Sequence, residues 1–157
     1  MGVRKGELRE GDPAPDFELE TDAGERLRLS ELRGRSVVLY FYPRAGTPGC
    51  TVEACEFRDV TPELKRRGAV VLGISPDTPE AQARFKARHN LPFTLLADPE
   101  KKAAQAYGVW KEKQSYGRKI MGVERTTFVI GPDGTIHRIF RKVRPRGHAL
   151  QVIEALG

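Results

Sequence analysis

Three short runs constrain this chain more than any other feature: "SVVLYFYP" at 36–43, "GAVVLGIS" at 68–75 and "FTLLAD" at 93–98. Each is apolar at successive positions, whereas a strand wetted on one face alternates apolar and polar residues. Such runs suit strands buried on both faces, with other elements packed above and below. The segments between them carry helical patterns at 48–67, at 79–89 and in "DPEKKAAQAYGV" at 98–109. Strands alternating with helices in this way build a largely parallel sheet. Thr61-Pro62-Glu63 reads as a cap and restart that divides the first helix.

The ends of the chain add antiparallel pieces. Phe17, Leu19 and Thr21 alternate before a turn at Asp22-Ala23-Gly24, and Leu27 and Leu29 follow, which predicts a small hairpin. Ser30 is a candidate cap for a short helical turn ending at Gly34. "RTTFVIGPDGTIHRIF" at 125–140 reads as a second hairpin, turning at Gly131-Pro132-Asp133-Gly134. In the last segment Leu150, Ile153 and Leu156 have helical spacing. The order implies an α/β chain with a thioredoxin-like fold: a central mixed β-sheet flanked by helices, with an N-terminal β-hairpin extension. One domain over residues 1–157 accommodates it.

Composition narrows the function classes. With 39% hydrophobic and 31% charged residues, the chain has the balance of a globular domain and not of a disordered one. No apolar run approaches the length of a membrane span, and the N-terminal residues lack a signal-peptide core, so a cytoplasmic location is expected. The formal net charge is +6, and basic residues gather near the end at Arg138, Arg141, Lys142, Arg144 and Arg146. No base-stacking platform or nucleic-acid motif accompanies them, so they are read as a solvated strand and loop. Neither a nucleic-acid nor a membrane partner is expected.

The only two cysteines, Cys50 and Cys55, lie within "FYPRAGTPGCTVEAC". Thr47 is a good N-cap type and Pro48 suits the first helical position, which places Cys50 in the first turn. Free N–H groups and the positive end of the helix dipole there favour a thiolate, the nucleophilic form of cysteine. The alternative is an inert, small apolar side chain. In an unbroken helix, Cα atoms five residues apart are about 8.6 Å from one another, beyond the reach of a disulfide at about 4.4–6.8 Å. A permanent bridge is therefore badly placed. A transient one requires local unwinding, and otherwise Cys55 is simply a core-facing thiol. Two intervening residues would suit a thioredoxin-type exchange site, whereas four stand here, although general thiol–disulfide exchange stays an alternative. His89, His137 and His148 lack ligand spacing and are expected at the surface or in loops; no metal is expected.

"FYPRAGTPGCTVEACEFRD" resembles the active-site segment of the Q-type peroxiredoxins, also called bacterioferritin comigratory proteins. Pro43, Thr47 and Cys50 fit the family pattern. The likeness continues through "GDPAPDFEL", "VVLGISPDTPE", "FTLLADPEKKAAQAYGVW" and "ERTTFVIGPDGTI". The resemblance implies a thiol-dependent peroxidase that reduces hydrogen peroxide and organic hydroperoxides. It implies Cys50 as the peroxidatic cysteine and Cys55 as the resolving cysteine of a transient Cys50–Cys55 disulfide. Thioredoxin or a similar dithiol protein would reduce that bridge, with no cofactor, in a monomeric enzyme. Arg125 matches the family's active-site arginine. Thr47 Oγ1, the Cys50 N–H and Arg125 are the expected donors to peroxide, and Pro43 is expected to shield the sulfur. Glu53 either orients Arg125 or complements the helix dipole. Tyr42 and Trp110 are expected to fill the core, the alternative being that they line the entrance.

Overall fold

The computed structural model describes residues 7–156. Its central sheet has seven strands: β1 (Glu18–Thr21), β2 (Arg26–Arg28), β3 (Ser36–Phe41), β4 (Ala69–Ser75), β5 (Thr94–Ala97), β8 (Thr126–Ile130) and β9 (Ile136–Phe140). They lie in the order β2-β1-β5-β4-β3-β8-β9. The three apolar runs form β3, β4 and β5, which are mutually parallel at the centre. The N-terminal hairpin adds to one edge antiparallel to β5, and β8 adds antiparallel to β3. The mixed α/β architecture anticipated from the sequence is the one observed.

The central strand shows why the apolar runs read as they do. Val37, Leu39 and Phe41 enter one core with Leu72, Ile74, Leu96, Tyr107 and Phe128. Val38, Tyr40 and Tyr42 enter the opposite core with Phe57, Leu64, Phe85 and Val152. That second core is roofed by α1 (Pro48–Arg66), α2 (Pro79–His89) and α4 (His148–Ala155).

Several expectations are corrected. Helix α1 runs unbroken through Pro62. A proline ring removes one N–H and leaves only the carbonyl four residues back without its bond. Thr61 Oγ1 donates to the Phe57 carbonyl at 2.8 Å, and buried Leu64 holds the next turn. The third helix, α3 (Lys102–Ala106), is shorter than 98–109. Asp98 accepts the N–H groups of Lys102 and Ala104, both at 2.9 Å, so the residues ahead of α3 form its turn. Ser30 lies inside a 3-10 turn (Leu29–Leu32), whose entrance is closed by Glu31 Oε1 accepting the Arg28 N–H at 3.0 Å. In α4 the buried seam is His148, Ala149 and Val152, and Leu150 is 62% exposed. Leu150 sits about 200° around the helix from both His148 and Val152.

A second, two-stranded sheet, β6 (Trp110–Ser115) with β7 (Arg118–Val123), was not anticipated. Tyr116 (φ 51°) and Gly117 (φ 76°) turn it, both left-handed as the tightest hairpin turns require. No described helix is long and apolar enough to cross a membrane.

Candidate active site

Buried β3 delivers the chain to its carboxyl end, where α/β sheets place their sites. Tyr42 extends the strand, its N–H donating to the Ile74 carbonyl at 3.0 Å. Its hydroxyl donates to Gln82 Oε1 at 2.6 Å, and Gln82 Nε2 donates to the Leu96 carbonyl at 2.8 Å. Tyr42 is thus core, as expected, and Gln82 is a buried support that no local pattern singles out. Pro43 follows, half-buried. The next loop is held by Asp77, whose Oδ2 accepts the Ala45 N–H at 2.8 Å and the Ser75 hydroxyl at 2.6 Å.

Thr47 is the N-cap residue of α1, with extended backbone, but its side chain caps nothing. Its hydroxyl donates to the Arg44 carbonyl at 2.8 Å. Thr47 is expected to donate to peroxide; in the structure its proton goes to the Arg44 carbonyl, and Oγ1 keeps its acceptor lone pairs. The first α1 backbone bond runs from the Thr51 N–H to the Thr47 carbonyl, leaving the Gly49 and Cys50 N–H groups without intrahelical acceptors.

Cys50 is 1% exposed. Arg125, just ahead of β8, donates from Nη2 to Cys50 Sγ at 3.5 Å and from Nη1 to Glu53 Oε1 at 2.7 Å. Of the two readings kept for Glu53, the observed contact is the one with Arg125. Gly49 permits this approach. A Cβ there would stand 3.2 Å from Arg125 Nη2 and 3.5 Å from Pro145 Cγ.

The surroundings of Glu53 are costly for a carboxylate. It is 1% exposed, and its Oε2 has no hydrogen-bond partner among the described residues. Burial pushes its pKa up to about 7, against the opposing pull of Arg125. Burial acts against the guanidinium as well, but Glu53 and Cys50 outweigh it and hold the Arg125 pKa above its ordinary value. The Tyr40 hydroxyl is also buried and, among the described residues, without a hydrogen-bond partner; burial above all, then Tyr42 and Glu53, holds its pKa well above the ordinary value.

Cys55 lies farther along the same unbroken helix, half-buried, and both thiols are free. The structure therefore joins Cys50, Glu53 and Arg125 in direct contact, puts Thr47 and Pro43 on the adjoining loop, and keeps Cys55 apart from Cys50. His148, expected at the surface, is buried. Its Nε2 lies 2.7 Å from Thr127 Oγ1, and its ring meets Phe57 and Phe140 edge-on. Burial depresses its pKa. Trp110 packs, partly buried, against the core opposite Cys50. Among the described residues no three His, Cys, Asp or Glu gather as a metal site.

Comparison with known proteins places the chain. Residues 10–139 match the AhpC/TSA family. Peroxiredoxin Bcp of Bacillus subtilis is 47% identical over 146 residues, 93% of each chain. The chain belongs to the peroxiredoxins of this family. Among solved structures, a PrxQ mutant from Xylella fastidiosa is similar with a TM-score of 0.91 and 33% identity, over 99% of this chain and 97% of that one. The bacterioferritin comigratory protein of Xanthomonas campestris, studied for alkyl peroxide reduction, gives a TM-score of 0.86 and 36% identity over 89% of each chain. Like other peroxiredoxins, this one is an enzyme, a thiol-dependent peroxidase that takes a peroxide and draws electrons from a reductant.

Proposed function

We propose that Cys50 is the peroxidatic cysteine and Cys55 its resolving partner, in one domain spanning residues 1–157. The observation that carries the reading is the Arg125 guanidinium, shared between Cys50 Sγ at 3.5 Å and Glu53 at 2.7 Å. One cation thereby faces the sulfur while a buried carboxylate fixes its plane.

The chemistry follows from this geometry. The Cys50 thiolate attacks one peroxide oxygen; the S–O bond forms, the O–O bond breaks, and the sulfur loses two electrons. The departing alkoxide or hydroxide takes a proton and leaves as alcohol or water. Donors preset around the oxygens lower the cost of that developing charge. Arg125 and the free Cys50 N–H are the donors, while Thr47 Oγ1 accepts the peroxide's own O–H. Pro43 closes the loop side against water. The sulfenic acid on Cys50 then condenses with the Cys55 thiol, releasing water and forming the disulfide. With about 8.6 Å between their Cα atoms in intact helix, this step requires the first turns of α1 to unwind. A resolving thiol on the same chain makes a monomer sufficient. Hydrogen peroxide and organic hydroperoxides are the proposed substrates, thioredoxin the proposed reductant, and the cytoplasm the proposed compartment.

Peroxide-dependent NADPH oxidation with thioredoxin and its reductase tests the reading. Wild type turns over, Cys50→Ser does not, and Cys55→Ser completes the first oxidation but loses thioredoxin-supported turnover. Full turnover in Cys50→Ser would overturn it.

A further inference from the structure

Every catalytic cycle of this kind ends with an incoming dithiol that must reach the Cys50–Cys55 bridge. The surface beside Cys55 has a definite character. Arg58 lies three residues beyond Cys55 on α1. Its Nη1 donates to the His89 carbonyl at 3.0 Å, tying this side of α1 to the carboxyl end of α2. Next to that junction, between α2 and the loop that leads to Cys50, lies an open cleft of about 400 Å³. Ala45 and Gly46 form its loop side, and Arg84, Phe85 and Arg88 its helix side.

The charged side chains that line this cleft are of one sign. Arg84 and Arg88 are exposed and one turn apart, where like charges repel. Among the described residues neither has a carboxylate within 4.0 Å, nor does exposed Arg44 at the start of the loop. Exposed Glu80 stands one turn ahead of Arg84 on α2 and offsets part of its charge, while the other nearby acids are engaged elsewhere. Asp59 pairs with Arg58 at 2.9 Å, and Asp77 holds the loop from within. Phe85 supplies apolar wall at the floor. An open basic cleft with an aromatic floor, touching the loop that leads to Cys50, has the composition of a docking surface rather than of a solvated helix face.

Resting on the reading of Cys50 and Cys55 given above, we propose that this cleft is the docking surface for the reductant, a protein dithiol whose cysteines are rimmed by acidic residues. The carboxylates of that rim engage Arg84 and Arg88 and bring a partner thiolate over the 50–55 disulfide. That thiolate attacks one of the two sulfurs, forming a mixed disulfide and releasing the other as a thiolate. The partner's second thiol then attacks its own mixed-disulfide sulfur. The partner leaves oxidised to its disulfide, and Cys50 and Cys55 regain two electrons and two protons. Opposed charge raises encounter rates by about ten- to a thousandfold and fades as ionic strength rises.

The test compares wild type with Arg84→Glu/Arg88→Glu and the milder Arg84→Gln/Arg88→Gln. Each is supplied with an acidic bacterial thioredoxin and its reductase or, separately, with dithiothreitol, an uncharged dithiol. Charge reversal is expected to raise KM for thioredoxin about tenfold or more and neutralisation to raise it less. Turnover with dithiothreitol and single-turnover oxidation by peroxide should stay unchanged. Raising salt should lower wild-type kcat/KM for thioredoxin but not that of the reversed variant. An unchanged KM in both variants would overturn the proposal, as would equal losses with dithiothreitol. Wild type that turns over with dithiothreitol but not with thioredoxin would overturn the docking proposal and leave the peroxidase standing. Failure with both would remove the roles given to Cys50 and Cys55.

Discussion

The two ends of α1 are built on different terms. Residues 48–55 bury Cys50, Glu53 and Ala54, two small side chains and one carboxylate. Residues 57–66 bury Phe57, Thr61 and Leu64. The Phe57 ring stacks on Tyr40 with centroids 4.7 Å apart and meets His148 edge-on at 5.8 Å. Burying a large apolar side chain contributes about 1.5–3 kcal/mol, which the first turns lack. What fastens them is mainly Arg125, through Cys50 and Glu53. In the proposed mechanism, oxidation of the sulfur replaces the thiolate that Arg125 faces, and so weakens the part of the helix that the proposed bridge needs to move. Continuity through Pro62 is therefore no obstacle to the proposed bridge: on that reading the packing change near residue 56, not a break in the backbone, sets where unwinding would stop.

The largest effect expected from this contrast is at Phe57. Phe57→Ala should destabilise the protein by about 3–5 kcal/mol. Cys50→Ser, which exchanges one small side chain for another, should cost much less. Urea unfolding of the two variants decides it. Equal losses would mean that both ends of α1 are anchored alike.

Glu53 gives the next effect. Its pKa is about 7 in the folded chain against 4.5 for an ordinary carboxyl, because burial disfavours the charged form. Between those values the native state binds more protons than the unfolded one, so stability falls as pH rises from about 4.5 to about 7, then levels off. The span is at most about 3 kcal/mol. Glu53→Gln keeps an oxygen for Arg125 but cannot ionise, so its stability curve should be flatter over that window. A wild-type curve that rises with pH there, or a variant curve that follows it, would show that Arg125 compensates the buried charge in full.

How much of this was legible in the sequence depended on where each residue's neighbours come from. β3, β4 and β5 announce themselves because burial on both faces leaves no room for polar alternation. β6 and β7 lie largely in water, with Ile120 and Met121 about half exposed, so no apolar period marks them. The N-cap position of Thr47 and the first-turn position of Cys50 are local and were readable. The direction of the Thr47 hydroxyl was not, since it depends on how the loop brings back the Arg44 carbonyl. Arg125 is far from Cys50 in the chain and stood out only by resemblance. Nothing local distinguishes it among 27 basic residues. The burial of His148 depends on Thr127, Phe57 and Phe140, contributed by three other elements, and no spacing rule reaches them.

The smallest effect sharpens the boundary itself. Glu56 Oε1 accepts the Gly147 N–H at 2.9 Å and so serves the start of α4, which has no side-chain cap of its own. Losing such a cap costs about 1 kcal/mol. The same contact holds α1 one residue beyond Cys55, so Glu56→Ala should let unwinding run further and ease closure of the bridge. Stability should fall by about 1 kcal/mol, and disulfide formation after one equivalent of peroxide should accelerate. Amide exchange should rise in the turn after Cys55 while Leu64 and its neighbours stay protected. If bridge formation slows instead, Glu56 guides Cys55 toward Cys50 rather than restraining it, and the boundary between the two ends of α1 lies elsewhere.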